Sequence, residues 1–111
     1  MPYITQKDRT VIDPAIDQLA EQIVFACGKY PYDDTFVGLL NYTCTRLVLS
    51  VVRRLFGSVR YWIIAAVTGI LYNIADEFYR RIAVPYENKK IAENGDVDLY
   101  AEFAAQIGEK K

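Results

Sequence analysis

The run FVGLLNYTCTRLVLSVVRRLF, Phe36 to Phe56, constrains the fold of this chain more than any other stretch. It ends at a glycine, Gly57, and reads as one long helix. Projected at about 100° per residue, Tyr42, Thr43, Arg46, Ser50, Arg53 and Arg54 gather in one sector. Leu40, Cys44, Leu47, Val48, Val51, Val52 and Leu55 fill most of the rest, and Leu49 and Phe56 widen it. The apolar arc is roughly 200° wide, more than the stripe of a helix lying on one neighbour. Such a helix has to be covered from two directions.

The remaining elements follow from local signals. Residues 1–12 read as an extended arm, after which Asp13-Pro14 offers an N-cap followed by proline at the first helical position. Ile16, Leu19, Ala20, Ile23 and Val24 then form one stripe of a helix over about 14–27, stopped at Gly28. After the loop KYPYDD, the long helix and its successor form a hairpin over about 35–84, joined at Gly57-Ser58 and therefore antiparallel. Ile63, Val67, Ile70, Leu71, Ile74 and Phe78 make the core stripe of the returning helix. Ala65, Ala66, Gly69 and Asn73 make a face of small residues where another backbone could approach. Asp76 with Arg80 and Glu77 with Arg81 are spaced as helical ion pairs. Pro85 either kinks this helix or starts a new polar helix over about 85–94, which Asn94-Gly95 closes. Asp98 caps a short helix within 98–111. The expected fold is all-α: a helical hairpin with an N-terminal helix, forming one domain over 1–97, and a short C-terminal appendage.

A chain of 111 residues that is 52% hydrophobic has ample material for a core but too little polar surface to wrap it, which favours oligomerisation. The net charge of -1 conceals an uneven pattern: -3 over residues 1–35, +4 over 36–93 and -2 over 94–111. A basic middle with acidic ends does not resemble a duplex-DNA footprint, and no helix-turn-helix spacing is present. Histidine is absent, which removes Cys-His and Ser-His-Asp chemistry and most zinc sites within one chain. Cys27 and Cys44 read as buried, reduced thiols. The uncharged run Tyr61–Ala75 has 15 residues, fewer than the roughly 18 a bilayer span requires. No secretory leader opens the chain. The expectation is a cytoplasmic protein without a membrane segment.

The segments MPYITQKDR, DPAIDQLA, LNYTCTRLV and EFYRRIAVPYENKKIAENGDV, reaching to Val97, resemble an uncharacterised family of short proteins found in phages and prophages. That family has no established activity, so the resemblance implies a phage-type accessory setting in a bacterial host rather than a chemistry. GKYPYDDTFVG and DLYAEFAAQIGEKK depart from its pattern.

The residues bear on three functional classes. Metal-dependent nucleotide pyrophosphatases gather carboxylates on facing helices, but here Asp17, Glu21, Asp76 and Glu77 are sparse and partly matched by bases. No catalytic residues, metal ligands or cofactor are expected. A binding role draws on Tyr79, Arg80, Arg81, Tyr86, Lys89, Lys90 and Asn94, with Tyr42 and Arg46 on the long helix. Arginine forks hold phosphate bidentately, tyrosine rings stack on bases and asparagine reads polar edges. The leading expectation is a homo-oligomer that captures a small anionic, nucleotide-like ligand, such as a host defence signal. The alternative is a module that binds a host or phage protein through its apolar arcs. Tyr42 and Arg46 could instead be interior, with Arg46 paired to Asp76 or Glu77.

Overall fold

Thr5, rather than Asp13, starts the first helix. In the computed structural model, which describes residues 2–108, α1 runs from Gln6 to Cys27. Thr5 is extended (φ -62°, ψ 154°), and its Oγ1 accepts a hydrogen bond from the Asp8 N–H at 3.3 Å. Asp8 adds a negative charge to the first turn, where the helix dipole favours one. Arg9 Nε donates to the Ile4 carbonyl at 2.9 Å and fixes the entry of the chain. The expected arm over 1–12 is therefore mostly helix, and Pro14 lies inside α1 instead of at its start. The missing Pro14 N–H leaves the Thr10 carbonyl without its helical donor, a loss that water can offset because Thr10 is exposed.

The long helix forms as its sequence demands. α2 spans Thr35–Phe56 and stops at Gly57, whose φ of 76° favours a residue without Cβ. The Gly57 N–H closes the last turn on the Arg53 carbonyl at 2.9 Å. Arg53 and Arg54 occupy that last turn, where the dipole favours cations. α3 spans Tyr61–Phe78. Phe56 and Trp62 meet edge to face across the turn, with centroids 5.2 Å apart and planes at 83°.

Between α3 and α4 (Val84–Asn94) the backbone stays helical but widens. Residues Tyr79–Ala83 form a π-helical segment in which the Val84 N–H reaches the Tyr79 carbonyl. Pro85 explains the position of the wide turn. Its ring would strike the carbonyl four residues back in a regular helix, and it has no N–H to bond there. Helix α4 ends at Gly95 (φ 86°), and α5 covers Asp98–Gly108. No strand occurs among the described residues. The fold is all-α.

The chain divides into two compact units, residues 1–71 and 72–111, with the boundary inside α3. In the first, α1 packs on α2. Val67 and Leu71 of α3 line an apolar groove together with residues of the first half of α2. In the second, the π segment runs straight into α4 as one continuous helix.

Burial is scarce. Among the described residues only Ile63 is buried, at 3% exposure. Val24, Phe25 and Leu55 in the first unit, and Phe78 and Ile107 in the second, all lie open. Helix α2, with 22 residues and a mean hydropathy of 1.4 in its best window, is long and apolar enough to cross a membrane by length and composition. The core helix of a soluble bundle passes the same test.

Pro14→Ala is expected to raise stability by up to about 3 kcal/mol, and Thr5→Ala to lower it by about 1 kcal/mol. Opposite shifts of the urea midpoint would show both, whereas a destabilising Pro14→Ala would mean that contacts of the ring outweigh the missing bond.

Candidate functional site

Seven of the nine expected site residues lie in the second unit, and most of their charge is already answered. Arg80 takes both neighbouring acids: Nε donates to Asp76 Oδ2 at 3.0 Å and Nη2 to Glu77 Oε1 at 2.7 Å. The expected Glu77–Arg81 pair is replaced by this fork, because a π turn changes which residues stack along the helix face. Arg81 makes no ion pair among the described residues. The Tyr79 hydroxyl donates to Glu87 Oε1 at 3.0 Å. Lys90 bonds Glu93 at 3.3 Å and lies over the Tyr86 ring, 5.6 Å from its centroid. Lys89 and Asn94 point from α4 without a hydrogen-bonded partner. The arrangement is a half-neutralised helix surface. Its ion pairs are exposed, with Arg80 at 60% and Asp76 at 65%, and such pairs contribute about 0–1 kcal/mol each.

Glu87 was not singled out from the sequence, yet it governs Tyr79. The carboxylate accepts the phenol's proton in a hydrogen bond and repels the phenolate, so the Tyr79 pKa lies above the usual tyrosine value. Slight desolvation and the Tyr100 phenol push the same way.

Tyr42 and Arg46 belong to the first unit, on α2. Tyr42 is 63% exposed and Arg46 makes no ion pair, so the interior alternative is corrected: Asp76 and Glu77 bond Arg80 instead. With Thr45, Ser50 and Arg53 they line a shallow recess of about 230 Å³. That is below the roughly 300–1,000 Å³ of pockets that enclose drug-sized ligands. A second recess, of about 410 Å³, runs along the α1 flank past Leu19 and Arg54.

A third groove is apolar. About 660 Å³ lies between α2 and α3, bounded by Phe36, Leu40, Cys44, Val48, Val67 and Leu71. Cys44, expected to be buried, is exposed here, while Cys27 is half-buried; both are free thiols. The small-residue face of α3 is also open, since a Cβ placed on Gly69 would meet nothing within 4 Å. No cluster of three metal-ligating side chains exists among the described residues.

A family match covers residues 1–97, described as a domain of unknown function, DUF6899. The chain belongs to that family. The DUF6899 domain holds α1 through α4 and stops before α5, so every groove described above lies inside it. No curated protein and no solved structure matches the chain.

The raised Tyr79 pKa sets a pH window. A phenol whose folded pKa is raised contributes its full stability below the ordinary tyrosine pKa of about 10 and loses it as pH climbs through the folded value. Site-resolved NMR titration is expected to show Tyr79 ionising above the ordinary range. In Glu87→Gln the midpoint should fall back toward it; an unchanged midpoint would remove Glu87 as the cause.

Proposed function

We propose that this DUF6899 protein is a non-catalytic interaction module that works by binding protein through the apolar faces of its helices. One observation carries the reading: the face of α2 that most needs covering is left about half exposed, with Leu40 at 43% and Leu47 at 54%. Apolar surface on this scale marks protein or membrane contact. Protein contact is favoured because Arg46 sits at the middle of α2, where a bilayer would charge about 2.5–3.5 kcal/mol for it. The resemblance to phage and prophage proteins supports an accessory role in a bacterial cytoplasm, with a host or phage protein, or another copy of the chain, as the partner.

Capture of a small anionic, nucleotide-like ligand is the second reading. The unpaired Arg46 and Arg53 beside Tyr42 and Ser50 favour it. It ranks lower because the recess is shallow and because Arg80 and Lys90 are committed to acids.

Sedimentation equilibrium separates these. The purified chain is expected to run heavier than 12.7 kDa, or to fold cooperatively only with a bound protein. A cooperatively folding monomer that binds nucleotides calorimetrically, and loses that binding in Arg46→Ala, would overturn the first reading for the second.

A further inference from the structure

Resting on the interaction reading, the inference concerns which surface is covered and by what. Val37, Leu40, Cys44, Leu47 and Val51 recur at alternating spacings of three and four residues, the pattern of a helix–helix seam. All five are exposed; Val37 is at 54% and Val51 at 46%. The seam runs along α2 between its two flanks: Val37, Leu40 and Cys44 open into the α2–α3 groove, and Leu47 and Val51 into the recess beside Leu19 of α1. Within the first unit, the residues of α2 that are partly covered lie elsewhere, at Thr35, Leu39, Thr43, Val48, Ser50 and Val52. Leu19, Val67 and Leu71 border the seam but leave it exposed.

We propose that α2 pairs antiparallel with α2 of a second copy of this chain, about a two-fold axis that crosses between Cys44 and Leu47. Exposed area allows it. Val37, Leu40, Leu47 and Val51 stand 54%, 43%, 54% and 46% exposed along one line of α2, apolar surface that a second helix would cover. Symmetry favours it, since a two-fold dimer uses one self-complementary patch. Charge selects the direction. Asp33 and Asp34 precede the start of α2, and Asp34 makes no side-chain capping bond. Arg53 and Arg54 close its other end, and Arg54 makes no ion pair.

Antiparallel pairing about that axis sets Cys44 against Leu47 of the copy, Leu40 against Val51, and Val37 against Arg54. Arg54 then lies about one turn from Asp34 of the second copy, within reach of its side chain. The parallel alternative would stack arginines on arginines and aspartates on aspartates. Antiparallel helix dipoles also attract.

The test uses the full chain, with sedimentation for mass and circular dichroism for helicity. Leu47→Glu should weaken the dimer by about a hundredfold or more. Leu49→Glu, also exposed at 60% but off the seam, should leave the mass unchanged. Arg54→Glu should weaken the dimer about tenfold, and adding Asp34→Arg to that variant should restore it. In a Cys27→Ser background a short bismaleimide should join two chains through Cys44. An oligomer whose mass is indifferent to Leu47→Glu would overturn the seam while leaving the interaction reading intact. Failure of Asp34→Arg to rescue Arg54→Glu would overturn the antiparallel direction. A helical, cooperatively folding monomer of the unmodified chain would overturn both readings.

Discussion

Burial of one helix face is the constraint on which this structure depends. The apolar arc of α2 spans more of the helix than any single neighbour can cover, and the chain spends α1 on one flank. A Val or Leu side chain taken fully out of water contributes about 1.5–3 kcal/mol. Four such positions, Val37, Leu40, Leu47 and Val51, held half-open forgo much of that gain, which is large beside a domain's net stability of about 5–15 kcal/mol. A surface that covered this face would stabilise the folded form, because whatever binds the folded form draws the equilibrium toward it.

The second unit solves a different problem. Its helices are short and mostly solvated, and they hold together with local contacts: the Arg80 fork onto Asp76 and Glu77, the Tyr79–Glu87 bond and the Lys90–Glu93 pair. Each is exposed and individually weak. Together they neutralise a run that looks strongly basic when read in line. The arginines of α2 are unlike these: Arg46, Arg53 and Arg54 have no acidic partner among the described residues. Charge left unanswered on an apolar helix carries more information about recognition than charge answered one turn away.

Much of the architecture was legible because its signals are local. Gly57 and Gly95 closed helices as expected, and the α2 boundaries fell within a residue of the periodicity. The start of α1 was misread because Asp13-Pro14 imitates a helix opening, while Thr5 with Asp8 three residues on makes an equally good one with a less conspicuous sequence. The Arg81 pairing failed because ion-pair spacing assumes regular α geometry, and Pro85 imposes a wide turn just upstream. Cys44 and the residues around it were read as core on hydrophobicity. Periodicity reports that a face must be covered, but not whether the cover comes from the same chain. The spacing of Val37, Leu40, Cys44, Leu47 and Val51 was the available signal.

The π segment has a further consequence for helical phase. In an uninterrupted α-helix, residues eight apart are rotated by about 80° from one another, too far around the cylinder for Tyr79 to meet Glu87 squarely. One residue accommodated in the wide turn brings them to within about 20° of alignment. The phenol–carboxylate bond at 3.0 Å thus works as a vernier, closing only when the backbone upstream of Pro85 is out of step with the α repeat by that single residue. Any change that lets the backbone run on as regular α-helix would turn the Lys89 and Asn94 side of α4 to a new azimuth, without altering one residue of that face.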